Sequence, residues 1–210
     1  MFPTDVLLAY LAACLLVVLA PGPDNILAIS RGLSQGRSAA ILSSLGAGVG
    51  IMFHTFTAAL GLSVLIQSSE MMFWIIKAVG AIYLVWLGYK AVRAKDLISF
   101  TPAAQLPLHR IFVSGALSNI LNPKPGLFVL AFLPQFVAAS RGSVPLQMLV
   151  YGALFAAMTT VIFSVLGSFA NSLAAWLKRR PAVTAGLNLG AGLTFILAGL
   201  SVLTLKARAT

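Results

Sequence analysis

Two short clusters in an otherwise apolar chain have residue types and spacing that could do chemistry: Pro21-Gly22-Pro23-Asp24-Asn25 and Asn122-Pro123-Lys124-Pro125-Gly126. Proline has no N–H and its ring clashes with the carbonyl four residues earlier. Pro21 and Pro23 therefore free the carbonyls of Val17 and Leu19, while Pro123 and Pro125 free those of Asn119 and Leu121. Each break also creates half-helix ends, an N-terminus whose N–H groups suit an anion and a C-terminus whose carbonyls suit a cation. A zwitterion such as an amino acid has one group for each. Asp24 could meet an ammonium group or a proton, and Lys124 a carboxylate. Simpler roles stay open: Asp24 as a cap on the half-helix it begins, Lys124 as the partner of Asp24 in an internal ion bridge.

Two further titratable groups lie in apolar surroundings. Lys77 could carry a proton, or could snorkel from near the outer end of its segment. His54 could relay protons, or pack with a single hydrogen bond. Gly46-Ala47-Gly48-Val49-Gly50 resembles part of a dinucleotide loop, but no strand precedes it, so close helix packing accounts for it better. The single Cys14 excludes an intrachain disulfide, a Cys-x-x-Cys redox pair and a thiolate metal cluster. Neither a cofactor nor a metal is expected. Leu11-Ala12-Ala13-Cys14 looks like a lipoprotein cleavage box, yet a short preceding segment with Asp5 does not suit a signal peptide, so the first apolar run is read as a retained helix.

Positioning these groups requires membrane helices. Of 210 residues, 60% are hydrophobic and 9% charged, against about a quarter charged in a soluble domain. So few charges cannot coat a globule of this size, and most of its solvent must be lipid. Charge-free windows run over 38–69, 142–177 and 181–205, each longer than the roughly 20 residues that span a bilayer. Three more apolar segments hold a single charge each: 6–30 with Asp24, 71–89 with Lys77 and 111–140 with Lys124. The expectation is an all-α membrane protein with six transmembrane helices, the first and fourth of them broken.

The net charge of +10 would suggest nucleic acid in a soluble protein, but here the basic residues sit in short gaps between apolar runs and read as topology signals. Arg31, Arg37, Lys90, Arg93, Lys95, Arg110, Lys178, Arg179 and Arg180 fall in alternate gaps, whereas the other face has Arg141, Lys206 and Arg208. The positive-inside rule then places both termini outside the cytoplasm. Trp74, Trp86 and Trp176 lie near the expected span ends, as interfacial aromatics do.

Aligning the paired prolines superposes the two breaks at an offset of 102 residues (123 − 21), near half the chain. Gly80-Ala81 with Gly88 and Gly190-Ala191 with Gly199 add a weaker match. Three spans per half is an odd number, so the second half must enter the membrane inverted. The division expected is a first three-helix repeat over 1–92, a cytoplasmic connecting loop over 93–110 and a second repeat over 111–210. Broken helices at matching points of inverted halves point to a transporter's binding site.

The chain resembles the LysE/RhtB family of amino-acid exporters. The resemblance rests on Pro21-Gly22-Pro23, the Gly46/Gly50 spacing, and Lys77-Ala78-Val79-Gly80-Ala81-Ile82-Tyr83-Leu84 with Gly88. Phe112, Gly115, Asn119, Asn122-Pro123-Lys124 and Pro134-Gln135-Phe136 continue it, and beyond Tyr151 it is mainly hydropathic. It implies a bacterial inner-membrane carrier that moves amino acids or related metabolites outward in exchange for protons. Its site would surround the two breaks: Pro21, Gly22, Pro23, Asp24, Asn25, Asn119, Asn122, Pro123, Lys124 and Gln135 for substrate, with Asp24, Lys77 and His54 for the proton. The expected partners are an amino acid or derivative, protons and the lipid bilayer, with a homodimer left open and no nucleic acid.

Other classes fit less well. An intramembrane serine enzyme would need a nucleophile beside His54, and Ser43 and Ser44 lie about three helical turns away. A metal exporter or channel would want several carboxylates or a His/Cys cluster. A scaffold subunit has no need of two broken helices or buried charges.

Overall fold

A computed structural model describes residues 2–20, 22–68, 70–93 and 102–204, which form helices and no strand. The first apolar segment is split into α1 (Thr4–Leu19) and α2 (Pro23–Gln35), bent by 58°. Then follow α3 (Arg37–Ser68) and α4 (Glu70–Arg93). The fourth segment is split again into α5 (Leu108–Leu121) and α6 (Pro123–Leu127), the chain from Pro123 to Phe136 being bent by 52° from α5. A π-helical turn (Phe128–Phe132) and two 3-10 turns (Leu133–Phe136 and Ala139–Arg141) lead to α7 (Val144–Ser168). α8 (Ala170–Lys178) and α9 (Pro181–Thr204) complete the described chain.

Residues 37–61 of α3 and 144–168 of α7 are each long and apolar enough to cross a membrane, and the count rises to four if each bent pair is one crossing. Outward faces here and on α4 and α9 are apolar: Leu121 is 78% exposed, and Val161, Ile82 and Leu197 are also exposed. Such helices are hydrophobic all round, as a lipid solvent demands. The charge-free window 142–177 does not run as one rod. A continuous helix there would be about 54 Å long, against a hydrocarbon core of about 30 Å. The chain instead turns at Phe169, and the short α8 follows.

α3 lies at the centre, packed on α5 and α7, while α4 packs on α9. Small residues make these approaches close. Gly115 abuts the carbonyl of Ser43 and, further along, Gly50 abuts the Asn119 side chain, so α5 runs alongside α3 in the same direction. Gly48 meets Thr160, Gly152 meets Thr55 and Gly167 meets Ala40, so α7 runs antiparallel to α3. One end of the bundle therefore gathers the C-terminus of α2, the N-termini of α3 and α5 and the C-terminus of α7. The opposite end holds the N-terminus of α7, next to α1, whose Tyr10 hydroxyl donates to the Tyr151 carbonyl at 2.8 Å. Replacing Gly115 with valine should force α5 off α3, destabilising the fold by about 1–3 kcal/mol. A lower melting temperature of the purified protein in detergent would register this, and unchanged melting would mean that the helices have room to spare.

Candidate functional site

The first break is held open by one side chain. α1 ends at Leu19, leaving carbonyls without helical partners. Asn25 Nδ2 donates to the Ala20 carbonyl at 3.0 Å and to that of Val18 at 3.5 Å, while its Oδ1 accepts from the Gly22 N–H at 2.8 Å. Asn25 thus serves the C-terminus of α1 and the N-terminus of α2 together. The carbonyls it uses are each one residue beyond those marked by proline spacing alone. Pro21 lies outside the described residues, and Pro23 is the first residue of α2.

At the second break Asn122 plays a related part, its Oδ1 accepting from the Lys124 N–H at 3.0 Å to cap α6. Pro123 opens that helix. The Asn119 carbonyl, freed by Pro123 as the sequence predicts, accepts from Asn122 N–H at 3.0 Å and lies 3.1 Å from His54 Nε2. With Nε2 carrying the proton, His54 donates to this carbonyl from α3 and fixes the end of α5. Gly126 lets α6 lie against the His54 ring, since a Cβ there would stand 3.0 Å from Cε1.

The two breaks brace each other crosswise. Asp24, 7% exposed on α2, accepts three hydrogen bonds from the second break: Ser118 Oγ to Oδ1 at 2.8 Å, and Asn119 Nδ2 and Asn122 Nδ2 to Oδ2 at 2.7 and 2.9 Å. In return the Lys124 ammonium donates to the Ala20 carbonyl of the first break at 2.7 Å and lies 5.6 Å from the Phe195 ring centre on α9. Gly22 makes room for it, because a Cβ there would stand 3.3 Å from Nζ. Among the described residues no ion pair joins Asp24 to Lys124. Each charge is held by neutral groups of the other break.

Between the breaks lies a small cavity, lined on its polar side by Asp24, Asn25, Asn119, Asn122 and Lys124 and on its apolar side by Val17, Val18, Ile51, Phe155 and Phe163. About 20 Å³ is open to the centre of a water molecule, room for about one ordered water. The Thr159 hydroxyl, on the wall from α7, is buried and has no hydrogen-bond partner among the described residues.

Of the residues singled out in the sequence, Gly22, Asp24, Asn25, Asn119, Asn122 and Lys124 line this cavity. His54 stands behind Asn119. Gln135 is not among the lining residues and donates to the Ala131 carbonyl of its own segment at 3.1 Å. The side chain of Lys77 lies outside the described residues. Ser118 was missed, although a signal existed: Ser118, Asn119 and Asn122 form a polar run on one face at the end of an apolar helix. Ile51, Phe155 and Thr159 carried no signal, because nothing local marks which face of α3 or α7 meets the breaks.

The sequence model of the LysE type translocator family matches residues 15–206. The chain is 33% identical over 182 residues to an uncharacterized membrane protein of Bacillus subtilis, covering 82% of this chain and 86% of the relative. It is 31% identical over 192 residues to the homoserine/homoserine lactone efflux protein of Salmonella typhimurium, covering 91% and 92%. It is 29% identical over 134 residues to the leucine efflux protein of Klebsiella pneumoniae, covering 62% of each. No solved structure matches the chain.

Proposed function

Because the chain belongs to the LysE type translocator family, and is therefore a multi-pass membrane transporter and not an enzyme, we propose that it exports small amino acids or close derivatives in exchange for protons, by alternating access about the two breaks. The observation that carries this reading is the crosswise brace, in which Asp24 and Lys124 each reach into the opposite half. An incoming zwitterion offers both charges the partner they lack. Its ammonium group would compete with the Ser118, Asn119 and Asn122 donors for Asp24, and its carboxylate would draw Lys124 from Ala20. A proton on Asp24 and an ammonium group beside it exclude each other, and this exclusion couples the two fluxes. Relatives named for homoserine and for leucine favour a small neutral amino acid as the cargo.

The cavity has room for about one water, so in this reading the halves must part before an amino acid enters. Two inverted repeats, 1–92 and 111–210 joined by the loop 93–110, would supply the rocking bodies. The packing of α3 on its counterpart α7 and of α4 on α9 supports them, and the contact of α3 with α5 has a smaller counterpart in that of α7 with α1. The end that carries Arg31, Arg37 and Arg110 would face the cytoplasm of a bacterial inner membrane, with both termini outside.

Expression in cells stripped of their own exporters, followed by an efflux and growth-resistance screen over a panel of neutral amino acids, tests the proposal. The expected result is faster efflux and higher resistance for at least one small neutral amino acid. In inside-out vesicles, uptake of that amino acid should collapse when the pH gradient is dissipated. A chain present in the membrane that accelerates none of the panel would overturn the reading, and uptake indifferent to the pH gradient would remove the proton from it.

A further inference from the structure

Two glutamines, at opposite ends of the bundle, make the same unusual contact. A primary amide carries an acceptor oxygen and donor hydrogens and can therefore pair with a peptide unit as another strand would. At the end where α2 stops, Gln35 Nε2 donates to the Leu106 carbonyl and Gln35 Oε1 accepts from the Leu106 N–H, both at 2.9 Å. At the end where α7 starts, Gln147 Nε2 donates to the Ala138 carbonyl at 2.9 Å and Oε1 accepts from the Ala138 N–H at 3.2 Å. Gln147 also donates to the Gly142 carbonyl at 3.0 Å.

The surroundings repeat in part. Each glutamine grips a connecting strap beside a broken helix, extended in the first case and ending in the 3-10 turn Ala139–Arg141 in the second. Residues 102–107 lead into α5, and 137–142 lead from the second broken segment into α7. The first strap is further held from α2, Arg31 donating to the Ala104 carbonyl, whereas in the second the strap's own Arg141 reaches back, its Nη2 donating to the Phe136 carbonyl at 3.0 Å. The Ala103 N–H adds a bond to the Ser30 carbonyl at 3.2 Å. Gln35 is half-buried and Gln147 fully buried. The first grip joins the exit of the first broken helix to the approach of the second. The other joins the exit of the second to α7, where the Phe136 ring lies edge-on to Tyr10 of α1, 5.1 Å between centres.

We propose that Gln35 and Gln147 are paired latches of the transport cycle, each of which must release its strap before its own end of the central cavity can open. This rests on the alternating-access reading above. Both latches are fastened here, and the cavity between them is correspondingly small. Weakening one latch lowers the cost of opening that end only, so the population of states shifts toward it and away from the other. A residue that merely stabilised the fold would loosen both ends together.

The test uses a reporter thiol. Cys14 is the only cysteine and is buried. The full chain carrying Cys14→Ala and Ile51→Cys, the latter on the cavity wall, is labelled with a membrane-impermeant maleimide in right-side-out and in inside-out vesicles. Gln35→Leu should raise labelling from the end that holds the 102–107 strap by about tenfold and lower it from the other, and Gln147→Leu should do the reverse. Gln35→Glu and Gln147→Glu keep the acceptor but, once ionised, set an oxygen against the carbonyl that the amide served, so shifts in the same directions that grow as the pH is raised should follow, even where a leucine variant does not fold. Unchanged labelling in folded variants, or both variants shifting toward the same end, would overturn the latches. A reporter that reacts from both ends with the native glutamines keeps alternating access standing in that event. A reporter that reacts from one end in every background would bring down both proposals.

Discussion

Replacing Asp24 with asparagine is expected to cut proton-driven uptake into inside-out vesicles by about tenfold to a hundredfold, the span set by hydrogen bonds of about 1.5–3 kcal/mol to a charged group. The fold should survive, for a reason visible in the hydrogen-bond pattern. Asn119 and Asn122 both donate to Oδ2, which an asparagine oxygen can replace. The atom that changes is Oδ1, which accepts from Ser118 Oγ. A hydroxyl can turn and accept from the new amide instead, so three hydrogen bonds remain while the charge and the titratable oxygen disappear. The measurement pairs vesicle uptake, with and without a pH gradient, with the melting temperature in detergent. Uptake that stays fast and gradient-dependent would take Asp24 out of the coupling. Asp24→Ala makes a useful contrast: it strands two buried amide donors, each costing about 1–3 kcal/mol, so loss of fold and loss of transport should come together.

Lys124→Met should be comparably severe for transport and mild for structure. The methionine matches much of the lysine stem and can lie against Phe195, while the Ala20 carbonyl that loses the ammonium keeps its bond from Asn25 Nδ2. What goes is the one cation among the described side chains that line the cavity. If Lys124 receives the substrate carboxylate, the apparent KM should rise by about tenfold or more, because an ion-paired hydrogen bond is worth about 1.5–3 kcal/mol. Concentration-dependent uptake reads this directly. A variant with an unaltered KM and a reduced maximal rate would assign Lys124 to the brace between the halves and not to the cargo.

The positions of the two breaks could be read from the chain because proline acts within four residues, on its own N–H and on one earlier carbonyl. That reach fixed the unwinding near residues 21 and 123 and correctly freed the Asn119 carbonyl, which His54 occupies. It did not fix the carbonyls in use at the first break, where Val18 and Ala20 serve Asn25. Gln135 followed from resemblance alone, and its amide turns back on its own segment. The window 142–177 read as one apolar run, yet hydropathy has no marker for the turn at Phe169 that shortens it. The latches were invisible for another reason: Gln35 grips Leu106, 71 positions away, through backbone groups that any residue would offer.

By itself the sequence determined the solvent, the location of the breaks and the presence of one charge at each. Composition counts charges against surface, and proline sterics act locally, so neither needs a partner. The tertiary structure alone decided that Asp24 rests on amides of the second break and Lys124 on a carbonyl of the first. That choice depends on how each helix is rotated about its axis and on which glycines let two backbones approach, and both are settled only when the helices pack.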